Sequence, residues 1–159
     1  MAKRTQSTGP TIERVLCVGV EAGRRSRSLW SLNDSLEELA ELARSSGGRV
    51  VGTVSQRLKA PTQTYLGKGK IDEIKALQDA KKFDVLVCDD ELAPSQQRNL
   101  EAALDDVKVM DRTALILDVF ARRAQTREGR LQVELAQHEY LLPRLAGQWT
   151  HLERQRGGV

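Results

Sequence analysis

Apolar positions along the chain fall into two regimes. Through residue 111 they come as short, nearly continuous runs separated by segments of helical period, and beyond residue 127 they form one long stripe. Ile12 to Val20, with Val15, Leu16, Cys17, Val18 and Val20, predicts a strand covered on both faces. A helix follows from Asn33 or Asp34, with Glu37 completing a capping box and Leu36, Leu39, Leu42 and Ala43 turned inward, and Gly47 and Gly48 end it. Val50 to Val54 predicts the second strand, and Ile71, Ile74 and Leu77 mark the next helix. Phe83 to Cys88 is a third strand, Pro94 opens a helix with Leu100, Ala103 and Leu104 inside, and Val107 to Met110 is a short fourth strand. Alternation at this spacing predicts an α/β fold, a small four-stranded parallel sheet flanked by helices with right-handed crossovers.

From Arg112 a helix carries Leu115, Ile116, Val119 and Phe120 toward the sheet. Its stripe does not continue in phase, and Thr126 to Gly129 supplies a cap residue and a weak helix former, so a break is expected there. Arg127 to Arg156 then reads as one long helix. Leu131, Leu135, His138, Leu142, Leu145, Trp149 and Leu152 are spaced alternately four and three apart, the heptad seam that takes a second helix alongside. Pro143 should kink this helix locally while the seam keeps its phase. Leaving six large apolar side chains wet forfeits on the order of 10 kcal/mol, so the seam calls for a partner helix. That helix is expected from a longer polypeptide, after a turn at Gly157 and Gly158, or from another molecule. The division is thus a polar, disordered lead-in at 1–11, an α/β subdomain at 12–111 and a helical subdomain at 112–159.

Composition narrows the class. With 40% hydrophobic and 30% charged residues the chain is that of a globular protein. No run is long enough to span a membrane, and Met1 to Pro10 lacks an apolar signal core, so a cytoplasmic location is expected. Cys17 and Cys88 lie in strand-like runs and read as inert core residues. The net charge of +3 is unevenly spread: residues 1–27 carry +4, residues 28–111 carry −4 and residues 112–159 carry +3. Every basic residue of the last segment is an arginine, the side chain suited to bidentate phosphate contact, although a solvated helix face gives the same count.

Four groups are candidates for chemistry. Gly67, Lys68, Gly69 and Lys70 precede a helix and form a possible phosphate contact, yet no Ser or Thr follows either lysine as a Walker loop requires. Asp89, Asp90 and Glu91 sit at the carboxyl end of a strand, where open sheets place ligands, but capping and dipole roles account for them. His138 and His151 read as a tolerated seam residue and a surface group. Arg122, Arg123, Arg127 and Arg130 surround the helix break, and Arg144, Arg154, Gln155, Arg156, Gly157 and Gly158 extend the basic character to the end, a set fitted to folded RNA. No nucleophile and base pair by spacing, so neither catalytic residues nor a bound metal or cofactor are expected in this chain.

Several motifs occur in a specific order. Tyr65-Leu66-Gly67-Lys68-Gly69-Lys70, Pro94-Ser95-Gln96-Gln97-Arg98-Asn99-Leu100, the run from Asp111 to Phe120, and Arg127-Glu128-Gly129-Arg130-Leu131-Gln132-Val133-Glu134-Leu135-Ala136-Gln137 with Leu142-Pro143-Arg144-Leu145 resemble the amino-terminal region of the HflX family of translational GTPases. The resemblance covers nearly all of residues 12–159. It implies that the long helix is one arm of a helical hairpin, that the region docks on the large ribosomal subunit, and that the hairpin loop, begun by Arg154 to Gly158, reaches ribosomal RNA near the peptidyl transferase centre. It also implies a following domain that uses GTP and magnesium and helps split stalled ribosomes. No nucleotide-binding motif of that domain occurs here, so GTPase activity does not carry over to this chain. Two other readings are an NTP-binding α/β enzyme using Gly67 to Lys70 with Asp89 and Asp90, and a homodimer that pairs two seams as a coiled coil.

Overall fold

The computed structural model describes residues 12–22, 31–60, 62–105 and 107–156, with side chains through residue 145. The lead-in at 1–11, the basic loop at 23–28 and Gly157 and Gly158 lie outside the described residues, as do the side chains of Trp149 and Leu152. In chain order the elements are β1 (Arg14–Ala22), α1 (Leu32–Ser45), β2 (Arg49–Leu58), α2 (Lys68–Lys81), β3 (Val85–Cys88), α3 (Pro94–Leu104), β4 (Lys108–Asp111), α4 (Arg112–Arg123) and α5 (Arg127–Arg156). The four strands are parallel, in the order β2-β1-β3-β4.

Successive residues of a strand point to opposite faces, and both faces of this sheet are covered. On one side Leu16, Val18, Leu86, Cys88 and Val109 pack with Ile71 and Ile74 of α2, Phe83, and Leu100 and Leu104 of α3. On the other, Val15, Cys17, Val85 and Val87 meet Leu36, Leu39, Ala40 and Ala43 of α1 and Leu115 of α4. That is why β1 and β3 read as unbroken apolar runs. Cys17 and Cys88 are buried thiols on opposite faces, and burial pushes Cys17 up to about 11 and Cys88 well above the usual value.

Strand and helix ends shift by a few residues from the sequence expectation, and at α1 and β2 the reason is local. The α1 cap is Ser31, whose hydroxyl accepts from the Asp34 amide at 3.1 Å while the Asp34 carboxylate accepts from the Ser31 amide at 3.3 Å. The capping box therefore starts three residues before Asp34, with Asp34 as its acid. β2 runs on to Leu58 because β1 holds its register with it as far as Ala22. Exposed Thr53, Ser55 and Arg57 alternate there with half-buried Val54, Gln56 and Leu58.

The break expected near Thr126 is present between α4 and α5, and α5 continues through Pro143. α5 packs on α3 and α4, which cover opposite faces of the sheet, and thereby spans the open edge of β4. Ala136, Gln137, Tyr140, Leu141 and Arg144 are among its partly or fully buried positions. Leu131, Leu135 and Leu142 remain 56%, 61% and 63% exposed, so this part of the seam faces away from the body. Leu145 departs from it: it is half-buried against the body, since a straight helix drifts by roughly 20° per heptad against a seven-residue repeat.

The two kinds of leucine should separate cleanly in urea denaturation. Leu86→Ala empties a fully buried site in the central sheet and is expected to cost about 2–5 kcal/mol. Leu135→Ala removes an exposed side chain and should stay within about 0.5 kcal/mol of the parent.

Candidate nucleic-acid interface

The site is framed by the corner where α4 meets α5, and the corner is held by one carboxylate. Asp111 ends β4 and is fully buried. Its Oδ1 accepts from the Ala114 amide at 2.9 Å, capping α4, and its Oδ2 accepts from the Leu92 amide at 3.0 Å and from the Tyr140 hydroxyl. Arg144, one turn along α5, donates from Nη2 to the Leu92 carbonyl at 2.7 Å and from Nη1 to the Tyr140 carbonyl at 2.9 Å. Its guanidinium lies 3.7 Å from the centre of the Tyr140 ring. Burial, then the hydrogen bond to Asp111, pushes the Tyr140 hydroxyl up from its ordinary value.

Asp89 and Asp90, after β3, are engaged in the same way, while Glu91 is exposed. Asp89 is buried and accepts from Ser35 Oγ at 2.7 Å and Arg112 Nη2 at 2.8 Å, while Arg112 Nη1 reaches Glu38 at 3.2 Å. Burial alone would lower the Arg112 pKa, and Asp89 with Glu38 outweighs it, so the guanidinium is raised. Asp90 accepts from the Tyr65 hydroxyl at 2.7 Å. Desolvation leads the rise in the Tyr65 pKa, with Cys88 and Asp90 adding to it. The strand ends that face the crevice at the β1/β3 reversal are thus tied to protein donors, and among the described residues no group of three His, Cys, Asp or Glu side chains is placed to hold a metal ion.

Gly67 caps α2 with extended backbone, and its amide donates to Gln56 Oε1 at 2.9 Å. Lys70 pairs with Glu73 at 2.9 Å. Lys68 and Gly69 are exposed, with open space around the Gly69 α-carbon. The Pro94–Leu100 motif meets the segment just before Tyr65: Gln96 Nε2 donates to the Thr62 carbonyl and Asn99 Nδ2 to the Gln63 carbonyl, both at 3.0 Å. They brace the loop in which Tyr65 has a positive φ of 65°.

The arginines divide into three groups. Arg122, Arg123, Arg127 and Arg130 are exposed around the corner, where Thr126 Oγ1 accepts from the Gly129 amide at 3.0 Å and starts α5. Arg122 pairs with Asp118 at 3.1 Å and Arg130 Nε donates to the Ala124 carbonyl at 3.2 Å. Among the described residues, Arg123, Arg127 and Arg130 have no ion-pair partner. Arg154 and Arg156, with Gln155, fall in the last turn of the thirty-residue α5, roughly 40 Å from the corner at 1.5 Å per residue. Their side chains, and Gly157 and Gly158, are outside the described residues. Arg144 belongs to neither end. At 8% exposure, with two of its nitrogens on backbone carbonyls, it is a docking residue of α5 and not a surface contact for phosphate, which corrects the expectation that grouped it with the tip. Sequence reasoning also missed Tyr140, Ser35 and Arg112. The one local signal was Asp111 standing before a helix, the position of a cap.

The chain matches the family model described as GTP-binding GTPase N-terminal over residues 33–121, and the one described as GTP-binding GTPase Middle Region over residues 123–159. It is 48% identical over 148 residues to the GTPase HflX of Flavobacterium psychrophilum, covering 92% of this chain and 35% of that protein. It is 50% identical over 148 residues to the GTPase HflX of Lacrimispora saccharolytica, covering 92% and 34%. The chain belongs to the HflX family. Against the GTPase HflX of Escherichia coli the identity is 46% over 127 residues, 79% of this chain and 30% of the relative. This HflX chain therefore spans about a third of the length of the curated relatives it matches. A GTP-binding protein of Sulfolobus solfataricus, solved in complex with GDP, shares the fold with a TM-score of 0.61 at 23% identity, over 90% of this chain and 42% of that one. The junction of the two HflX regions falls at the end of α4, beside the arginine corner.

Buried Tyr65 and half-buried Tyr140 are both favoured in the neutral form by the fold. A raised folded-state pKa means that their contribution is complete below the unfolded value of about 10 and is lost as pH rises past it. The urea midpoint is expected to be lower at pH 11 than at pH 9, and Tyr140→Phe, which cannot ionise, should make that fall shallower. Equal slopes for the two proteins would show that the fold does not raise the Tyr140 pKa.

Proposed function

We propose that this chain is the ribosome-binding module of an HflX-type GTPase, contacting ribosomal RNA of the large subunit and acting by contact rather than by chemistry of its own. The observation that carries the reading is the outward stripe of Leu131, Leu135 and Leu142 on α5, flanked at its base by exposed Arg123, Arg127 and Arg130. The stripe receives a helix from the further length that the HflX relatives possess, making α5 one arm of a hairpin. The arginine corner holds RNA phosphates, and the tip formed by Arg154, Gln155, Arg156, Gly157 and Gly158 probes folded RNA. Lys68 and Gly69 supply a secondary phosphate contact. GTP and magnesium belong to the nucleotide-binding part of the whole protein, which couples hydrolysis to splitting or rescue of ribosomes in the cytoplasm. The rigid α/β body then serves as the base from which α5 is held at a fixed angle. None of the helices among the described residues is long and apolar enough to cross a membrane.

Association with purified large subunits should weaken steeply with salt. Each of Arg123→Gln, Arg127→Gln and Arg130→Gln is expected to reduce the slope of log K against log salt by roughly 0.7–0.9, the value for one lost phosphate contact. Filter binding at several potassium concentrations checks this. Affinity that ignores salt, or slopes unchanged in all three variants, would sink the proposal.

A further inference from the structure

The space between β4 and α5 has no part in the contacts proposed above. It is a cavity of about 300 Å3, walled by Val109, Leu117, Leu141 and Leu145, with Arg144 in its lining and Lys108 at β4. A volume of that order is at the small end of ligand pockets and too small for a nucleotide. It exists because a helix, and not a further strand, covers the β4 edge, so side chains of α3, α4 and α5 converge without a backbone to fill the centre.

Arg144 supplies a second, independent observation. The residue is only 8% exposed, and its Nη1 and Nη2 are placed on neutral carbonyls. Its Nε–H is buried with no acceptor. Among the described residues no carboxylate stands within ion-pair distance of it. A buried cation normally has a counter-charge, and a buried N–H normally has an acceptor. Both needs would be met by one anionic oxygen. Because two guanidinium nitrogens are already directed at Tyr140 and Leu92, a compact planar monoanion fits the one remaining donor, and the Asp118 carboxylate, which also lines the cavity, opposes the second charge of a phosphate dianion.

We propose that this cavity binds a small amphipathic carboxylate, its hydrocarbon against Val109, Leu117 and Leu141 and its carboxylate at Arg144. Such a ligand touches the sheet edge and the long helix together, and so ties α5 to the body.

Octanoate is the probe, titrated into the 15N-labelled chain with octan-1-ol as the uncharged control. Octanoate is expected to produce a saturable shift of the Arg144 Nε–H signal and of the Val109, Leu117 and Leu141 amides, with octanol binding at least fivefold more weakly. Leu117→Trp fills the cavity and should abolish the saturable shift. If that variant does not fold, Leu141→Phe is the second test. Arg144→Lys should narrow the difference between octanoate and octanol. Equal affinities for the two probes, an unmoved Nε–H signal at saturation, or shifts confined to Leu131, Leu135 and Leu142 would overturn the proposal.

Discussion

A single buried carboxylate joins the two halves of this molecule. Asp111 finishes the last strand, caps α4, fixes the loop after β3 through the Leu92 amide and receives the Tyr140 hydroxyl from α5. A carboxylate with no exposed surface is costly unless every lone pair is used, and here the donors come from separate segments of the chain. The arrangement is therefore mutually enforcing: the strand end, the helix start and the long helix each complete the others' hydrogen bonding. Arg144 extends it by occupying the carbonyl of the same Leu92 whose amide Asp111 holds.

This polar anchor explains how α5 can be well placed while leaving much of its apolar surface outside. The partly or fully buried side chains of α5 include Gln137, Tyr140 and Arg144 beside Ala136, Leu141 and Leu145, so the docking face mixes polar with apolar groups. Leu131, Leu135 and Leu142 lie on another face and gain nothing from the body. Each forgoes on the order of 1.5–3 kcal/mol of burial, which the second helix proposed for that face would recover. The division of labour also protects the sheet, since α5 covers the edge at β4 that a parallel sheet would otherwise leave open.

Membership of the HflX family and the geometry support one another. The body is a doubly covered parallel sheet whose strand-end acids are taken up by Arg112, Ser35 and Tyr65. Among the described residues a leucine stripe and an arginine corner at the junction of the two family regions stay exposed, and the α5 backbone runs on from that corner for about 40 Å. Surfaces of that kind suit docking between large partners, with charge giving attraction and the rigid helix giving reach.

The chain's alternation of short apolar runs and helical segments was enough to foresee four parallel strands in a covered sheet, because burial on both faces leaves a period that local side-chain chemistry cannot disguise. The heptad spacing of Leu131, Leu135 and Leu142 likewise marked an apolar face, which the body leaves exposed, and Thr126 announced the break before it. Spacing could not reveal which polar residues are interior. Arg144 looks like its exposed neighbours in composition, and only the approach of Leu92, more than fifty positions earlier, makes it a docking residue. Ser31 displaced Asp34 as the α1 cap because cap identity depends on backbone angles that side-chain pattern does not encode. Asp111 had the local mark of a helix cap, but its remaining partners, Leu92 and Tyr140, are distant in sequence and meet only when α5 folds across the edge of the sheet.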